Sequence, residues 1–347
     1  MEEGRDPEPL GWDAIDKAFE KIYGDQEPMH YAAMIKYWMG GPDPLDGISV
    51  FRSDNGVPHW HYVSYGFTEL YEKEGDNPEY SGYGFELTMR LLRSPDEEVP
   101  QWPLSLMQNF ARYVFESGNI FEAGHYLDCN GPVALETDTQ LKAVLFVPDP
   151  ELKSIDTPNG KVSFLQIVCA TVDELQAAKR WNTLGLAKLI EERFPLMITD
   201  LKRGSILTDQ AALQAVEDGV SRDGSSTGCL FVTQLDYKLG LLKKCELTVG
   251  AIAVPELQSL LPARLGHGNP LILAGGQRAV HLLPEEKFYC KEVNGALHVG
   301  LTKAETDAFI NSLSSKEGVY KICDGLTIKV EKTEIKDSEG KVVQVLG

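Results

Sequence analysis

Apolar and polar residues in the first part of the chain follow both a helical and a strand-like period. Over residues 12–24 the apolar positions recur at helical spacing and a glycine closes the stretch, which predicts an amphipathic helix. Residues 48–51 and 59–67 are strand-like. Asn55 and Gly56 lie between them and predict a tight hairpin turn, because both residues accept a positive φ.

The next elements follow from the same two periods. Apolar residues alternate with polar ones over 83–91, which predicts a strand with one core face and one face that is wet or covered by other residues. Further elements are predicted as strands at 142–147, 162–170 and 196–199 and as helices at 103–117 and 172–194. In the last of these helices, Gly185 is the candidate interruption.

A polar stretch of small residues at 222–228 is the predicted linker to a second lobe. After it, strands are predicted at 230–235 and 245–254 and near Leu271 and Val280, and helices at 255–261 and 302–313. The last two strands, at 326–331 and 341–346, are predicted to form a hairpin around a turn at 337–340. Thr302 and Glu305 form a capping-box pattern. The mixture predicts an α+β fold of two lobes, each a mixed or antiparallel sheet with packed helices, in domains 1–221 and 229–347.

Composition and charge restrict the partners of the chain. Its 347 residues are 43% hydrophobic and 24% charged, which is ordinary for globular domains. A net charge of −19 argues against binding to nucleic acid or to an anionic membrane and favours basic protein partners. The sequence shows neither a signal peptide nor an apolar stretch of about eighteen residues. A cytoplasmic protein is therefore predicted, with its six dispersed cysteines reduced.

Two histidines are the candidate metal ligands. His59 and His61 are two apart, so in a strand both rings project from the same face with Cα atoms about 6.6 Å apart, a spacing that suits one metal ion. A third ligand has to come from a distance, and His30 and His125 are the candidates. The alternative is that both histidines are hydrogen-bonded on a sheet face, with no metal. The metal-binding interpretation predicts a metal-dependent hydrolase.

Other candidate chemistry is incomplete. Asp43 and Asp46 suit an acid and base pair, although carboxylates beside proline in a turn commonly accept backbone hydrogen bonds instead. Gly275 and Gly276 suit a phosphate-binding loop but lack the Gly-Lys-Ser/Thr ending, and a hairpin turn is the simpler interpretation. No complete catalytic motif is found.

Aromatic residues are concentrated in the first lobe, where large side chains give much contact area at little entropic cost. They form either a recognition surface or part of the core. The residues concerned are Trp38, Trp60, Tyr62, Tyr65, Tyr83 and Phe85.

Six sequence blocks occur together in one order over roughly residues 12–208. They are Lys-Tyr-Trp-Met-Gly-Gly-Pro-Asp-Pro-Leu-Asp at 36–46, His-Trp-His-Tyr at 59–62, Gly-Tyr-Gly-Phe-Glu-Leu-Thr at 82–88, Ala-Arg-Tyr-Val-Phe at 111–115, Phe-Leu-Gln-Ile-Val at 164–168 and Ile-Thr-Asp at 198–200 with Arg-Gly at 203–204. In these blocks the chain resembles the suppressor of fused (SUFU) family. Its lack of the long charged insertion of animal members makes it similar to a compact bacterial homologue.

The resemblance implies a binding protein without catalytic activity and without a cofactor. Animal members hold Gli-type transcription factors by clamping a short peptide as an added strand between two lobes, a mode that uses the backbone for affinity and side pockets for selection. Tyr113 and Phe121 match family positions near the peptide groove. His125 and Pro148 replace acidic family residues there, which argues against a Gli-type partner because charge-assisted contacts are lost.

The leading hypothesis is therefore a protein-binding module that captures a protein or extended peptide in a groove between the lobes. Its predicted contact residues are Tyr113, Phe121, His125, Asp43, Asp46 and Trp60. Resemblance to bacterial SUFU-like domains implies a role in immunity against a toxin, and an acidic protein suits a basic toxin because complementary charge speeds encounter. The metal-dependent hydrolase and a scaffolding role are the alternatives.

Overall fold

The computed structural model of the protein describes residues 8–54, 56–240, 244–336 and 340–347, with Trp38 described by its backbone alone. The α-helices within these residues are α1 (Leu10–Tyr23), α2 (Trp102–Ser117), α3 (Val172–Arg180), α4 (Thr183–Glu191), α5 (Gln210–Asp223), α6 (Val254–Leu265) and α7 (Lys303–Ser312). None of the helices in this part of the chain is long and apolar enough to span a membrane.

The strands alternate with these helices along the chain. Those of the first half are β1 (Met29–Ala32), β2 (Gly47–Ser53), β3 (His59–Tyr65), β4 (Tyr80–Leu92), β5 (Tyr126–Asp128), β6 (Leu141–Pro148), β7 (Ile155–Thr157) and β8 (Gly160–Thr171). Those of the second half are β9 (Cys229–Phe231), β10 (Leu235–Leu239), β11 (Cys245–Gly250), β12 (Leu271–Gly275), β13 (Arg278–Pro284), β14 (Tyr289–Val293), β15 (Ala296–Leu301), β16 (Gly318–Lys321), β17 (Leu326–Glu331), β18 (Thr333–Lys336) and β19 (Val342–Leu346).

The chain divides into two compact units. The first consists of Met1–Gln176 and Thr183–Ala212, and the second of Ala177–Asn182 and Leu213–Gly347. Each unit contains sheets with packed helices, so the predicted α+β class with two lobes is confirmed. The predicted domain limits at 221 and 229 stay a prediction.

The first unit is built on one mixed sheet of eight strands. The order is β1, β2, β3, β4, β8, β6, β5, and β7 pairs with β8 at the side of this path. Neighbours are antiparallel except β4 and β8, which run parallel. The edge strands of the path are therefore β1 and β5.

Helices cover both faces of this sheet. On one face Met107, Phe110 and Val114 of α2 belong to the same buried cluster as the apolar side chains of β4, and Gly118 ends α2 with a φ of 72°. On the other face Ile15 and Phe19 of α1 pack in a second cluster with side chains of β2, β3 and β8. Because both faces are covered, the polar residues that alternate along β4 are buried.

The second unit contains two sheets and a hairpin. The sheets have the strand orders β10, β11, β17, β16 and β14, β15, β13, β12, β9, and β18 pairs with β19. Its core joins buried side chains of these sheets to α6 and α7, including Leu257, Leu261 and Phe309. The capping box at the start of α7 is confirmed, since Thr302 and Glu305 bond to each other's backbone.

The predicted helix over 172–194 is wrong in its continuity. It is two helices, and the break lies at Trp181 and Asn182 while Gly185 lies inside α4. Trp181 is buried, its indole N–H donates to Asp223 Oδ2 over 3.0 Å, and its carbonyl accepts from the Ser226 amide over 2.7 Å. These tertiary contacts override the local helical period. The strand predicted at 196–199 is wrong in its first part, since Pro195–Met197 is a 3-10 turn, whereas Thr199 forms an isolated parallel bridge with Leu91 of β4.

The predicted linker at 222–228 is packed within the second unit. The amide of Ser225 donates to the Ala263 carbonyl over 2.8 Å, and Arg264 donates to the Ser225 carbonyl over 2.6 Å. Small polar residues offer backbone groups that nearby segments can bond, so composition alone does not make a segment a free linker.

The predicted hairpins have two different outcomes. The hairpin predicted at Gly275 and Gly276 is confirmed, since Gly275 ends β12 and Gly276, with a φ of 56°, begins the turn to antiparallel β13. The last hairpin pairs β19 with β18, where the sequence had predicted 326–331. Its turn residues 337–339 lie outside the described residues, as does Asn55 of the first hairpin.

Candidate functional site

A cavity of about 850 Å³ opens on the first unit, beside the parallel strands β4 and β8. We call it the Phe121 groove. It is lined by apolar and aromatic side chains together with a few polar ones, among them Tyr83, Phe85, Ile120, Phe121, Pro148 and Phe164. The sequence prediction placed Phe121 and Pro148 near a peptide groove, and both line this cavity.

An irregularity in the sheet makes room for the groove. Tyr80 of β4 pairs with Lys161 of β8, but the next pair is Phe85 with Ser163, so four residues of β4 face one of β8. Gly82 and Gly84 allow this bulge, with φ angles of 51° and 83°. A Cβ at Gly82 would lie 2.6 Å from the Phe67 carbonyl oxygen, so a larger residue is excluded there.

Stacked rings fix the wall that carries Phe121. Phe121 is 7% exposed and stacks on Phe146 with ring centroids 4.1 Å apart. Tyr113 of α2 stacks on Phe121 at 5.7 Å and remains 43% exposed. Asn119 Nδ2 donates to the Tyr113 hydroxyl over 3.1 Å. The two predicted contact residues therefore lie together, one as a buried platform and the other as an exposed ring on it.

His125 lies at the end of the same loop, just before the edge strand β5. Its side chain is exposed, and its Nδ1 accepts the Glu122 amide over 3.2 Å. Its carbonyl accepts the Phe146 amide over 2.9 Å, which attaches the loop to β6. The imidazole therefore shapes the loop that carries Phe121.

A buried polar network anchors the turn that brings Pro148, Asp149 and Leu152 into the lining of the groove. The Arg90 guanidinium donates to both carboxylate oxygens of Asp149, over 2.7 and 3.1 Å, and to the side-chain carbonyl oxygen of Gln166. All three side chains are buried. Asp149 Oδ1 also accepts the amides of Glu151 and Leu152, each over 2.9 Å. Burial raises the pKa of Asp149, but the neighbouring His61 ring and the Arg90 guanidinium outweigh burial and hold this pKa well below its ordinary range.

Sequence reasoning missed this network. The alternation of Glu86, Thr88 and Arg90 along β4 was the available signal, because a wet face and a covered face have the same pattern. Only the long-range partner, Asp149, decides between them, and it lies 59 residues from Arg90. The network is structural in character, since it fixes the turn at residues 148–152.

The two candidate aspartates are separated by their ion pairs. Asp43 Oδ1 accepts from Arg112 over 2.6 Å, whereas Asp46 Oδ1 lies 3.2 Å from the Lys36 ammonium. Each therefore has a different cation, and they line two different cavities. An acid and base pair formed by these residues is not supported by this geometry.

Trp60 lies in the core, which corrects its proposed role as a contact residue. Its side chain is 4% exposed, and the Arg93 guanidinium carbon lies 5.4 Å from the ring centroid. A buried ring cannot contact a partner, so the prediction that Trp60 is a contact residue is wrong. Trp60 lies in β3 between the buried His59 and His61, and its ring is part of the core.

The histidines are also buried and hydrogen-bonded. His59 Nδ1 lies 2.7 Å from the Val57 carbonyl oxygen, and His61 Nδ1 lies 2.9 Å from the Tyr23 hydroxyl. Burial, with the Arg90 charge, lowers the pKa of His61 to about 3, so its ring is neutral near pH 7. Its Nε2 lies 3.4 Å from Asp149 Oδ2.

The remote candidates do not complete a metal site with them. His30 Nδ1 lies 3.0 Å from Ser49 Oγ, and His125 belongs to the exposed loop. Within the described ranges, no three His, Cys, Asp or Glu side chains are arranged to hold a metal ion. The geometry brings Tyr113, Phe121 and His125 together and leaves Asp43, Asp46 and Trp60 elsewhere.

Comparison with known proteins relates this unit to one family. Residues 41–204 match the family described as Suppressor of fused protein (SUFU). The human Suppressor of fused homolog is 38% identical over 237 residues, which are 62% of this chain and 48% of the human protein, and the mouse homolog gives the same values. The chain spans about half the length of the curated relatives it matches.

Solved structures agree with this result. A crystal structure of Drosophila Suppressor of Fused has a TM-score of 0.81 at 21% identity and covers 94% of this chain and 99% of that one. At that identity the similarity shows the fold. The crystal structure of a Sufu-Fu complex has a TM-score of 0.56 at 32% identity and covers 61% of this chain and 98% of that one.

Proposed function

Because the chain belongs to the suppressor of fused family, we propose that it acts by binding another polypeptide and catalyses no reaction. A similar protein crystallised in a Sufu-Fu complex supports the binding role. His59 and His61 are buried, and within the described residues no three His, Cys, Asp or Glu side chains are arranged to hold a metal ion, which argues against the alternative hydrolase.

The single observation that carries the proposal is the Phe121 groove. Its volume of about 850 Å³ and its apolar walls suit a few side chains of an extended segment. Tyr113 and Ile120, both 43% exposed, offer apolar area around the buried Phe121 platform. The edge strand β5 follows directly in the chain, and strand addition at a sheet edge is a common way to hold an extended segment.

The chemistry of the groove suggests the kind of partner. His125 and Pro148 stand beside it where a Gli-type peptide would meet carboxylates, so we do not propose such a factor. We propose instead a segment with a large apolar side chain that packs against Phe121. The protein that carries this segment is basic, so the net charge of −19 attracts it. That this partner is a toxin, and that the groove lies between the two lobes, both stay predictions. Whether the neighbouring gene encodes a toxin would test the first of them.

A matched pair of exposed isoleucines gives the experiment. Ile120 lines the groove, whereas Ile252 lies in a turn of the second unit, and both are 43% exposed. Ile120→Lys places a charge in the groove, and Ile252→Lys makes the same change elsewhere. Proteins captured from lysate of the native host are quantified by mass spectrometry for the wild type and both variants.

The proposal expects at least one protein that the wild type and Ile252→Lys capture and that Ile120→Lys loses about tenfold or more, since a desolvated charge in an apolar contact costs at least about 1.4 kcal/mol. Circular dichroism on both variants checks that they fold. Equal capture by the two variants, or no protein enriched by the wild type, would contradict a binding groove at Phe121.

A further inference from the structure

A second cavity of the first unit has a different chemistry. It measures about 940 Å³ and is separate from the Phe121 groove, although Gly82 and Tyr83 line both. We call it the Tyr83 cleft. Its lining combines aromatic rings with carboxylates, most importantly Tyr37, Tyr83, Phe115, Asp46, Glu72 and Glu74.

Three of the aromatic rings that line the cleft lie close together. The Phe115 ring centroid lies 5.4 Å from that of Tyr37, with the planes at 77°, and 5.0 Å from that of Tyr83, with the planes at 58°. Tyr37 is 43% exposed. The three rings are inclined to one another, and a cation is attracted to any ring face that is open to the cleft.

The charged part of the cleft is acidic. Four carboxylates line it, those of Asp46, Glu69, Glu72 and Glu74, against the one ammonium of Lys36. Lys36 lies 3.2 Å from Asp46, and Glu69 accepts from Lys73 over 2.8 Å. Within the described part of the chain, neither Glu72 nor Glu74 takes part in an ion pair. Their charges are therefore available to a ligand.

From the rings and the carboxylates together, we propose that the Tyr83 cleft binds an arginine side chain of a basic polypeptide. A guanidinium is planar, so it stacks on an aromatic face while its N–H groups donate to carboxylates, and lysine does only part of this. The net charge of −19 attracts such a partner over a longer range. The cleft shares Gly82 and Tyr83 with the Phe121 groove, but Tyr37, Phe115, Glu72 and Glu74 line the cleft and not the groove, so the test rests on these four residues.

The test uses two small probes that differ in charge and hardly in shape. N-acetyl-arginine amide and N-acetyl-citrulline amide are titrated into the full chain, labelled with 13C at its aromatic side chains, and the shifts of the Tyr37 and Phe115 rings, which line the cleft and not the groove, are followed by NMR. The arginine probe should give saturable shifts at these rings. The citrulline probe should bind at least about fivefold more weakly, because it lacks the positive charge.

Two double variants complete the test. Glu72→Gln with Glu74→Gln removes the unpaired charges of the cleft, whereas Glu191→Gln with Glu192→Gln removes two exposed charges on the same unit. The first should weaken binding of the arginine probe about three- to fivefold and the second should leave it unchanged, since exposed ion pairs are individually weak. Equal binding of the two probes, shifts without saturation, or equal effects of the two double variants would overturn the proposal.

Discussion

Glu86 provides the sharpest test of how the first unit is packed. Its side chain lies on the covered face of β4 and is 0% exposed. It accepts hydrogen bonds from the Ser64 hydroxyl, from the Thr68 hydroxyl and amide, and from the Gly66 amide. Burial raises the pKa of Glu86 from an ordinary 4.5 to about 7, although these hydrogen bonds oppose the change.

The raised pKa makes stability depend on pH in a definite direction. The unfolded chain releases the Glu86 proton near pH 4.5, whereas the folded protein keeps it until about pH 7. Between these values the folded state binds more protons, so stability is present below pH 4.5 and is lost as the pH rises to 7. At 1.36 kcal/mol per pH unit, the difference between 4.5 and 7 amounts to about 3 kcal/mol.

Glu86→Gln should remove this dependence, because glutamine keeps the shape and does not ionise. Urea unfolding, followed by tryptophan fluorescence from pH 4 to pH 8, gives the stability of the wild type and the variant. We expect the difference between them to change by about 3 kcal/mol over that range, in favour of the variant at high pH. The exposed Glu116→Gln serves as the control and should follow the wild type. A constant difference would refute the reasoning and show that the hydrogen bonds keep Glu86 ionised throughout.

Three further predictions use the same preparations. Asp149→Ala should cost about 3 kcal/mol in urea unfolding, because it removes the buried partner of Arg90 and leaves the partly exposed Glu151 as its carboxylate partner, and a cost below about 1 kcal/mol would contradict the network. Phe121→Ala should cost about 3–5 kcal/mol but Tyr113→Ala less than about 1 kcal/mol, as their burial differs, and similar costs would argue against the platform. Elemental analysis should find no stoichiometric zinc or manganese, whereas one ion per chain would revive the hydrolase.

Local sequence patterns predicted where the helices lie better than they predicted which segments pack against them. Residues 12–24 and 103–117 carry strong helical periods with glycine at their ends, and the helices α1 and α2 follow them closely. The helix over 172–194 failed at Trp181, because contacts to Asp223 and Ser226 break it, and those contacts are remote in sequence. A periodic pattern records which residues can be buried and not which segment buries them.

The candidate site was predictable only where local identity decided its role. Tyr113 was identified by its sequence block and Phe121 by its match to a family position, and the two do lie together. Trp60 was misplaced because an aromatic residue suits both a core and a surface, and only the helices packed over the sheet settle which it is. The bulge between Tyr80 and Phe85, which opens the groove, arises from the pairing of β4 with β8 and has no local signature beyond two glycines.

Photo-crosslinking at the groove tests the central claim most directly. A benzophenone amino acid replaces Ile120 in one protein and the equally exposed Ile252 in another, and both are irradiated in the native host. If the chain works by holding a polypeptide in the Phe121 groove, Ile120 should give a specific adduct whose partner is a single protein, and Ile252 should not give that adduct. The same adducts from both positions, or none from Ile120, would contradict it.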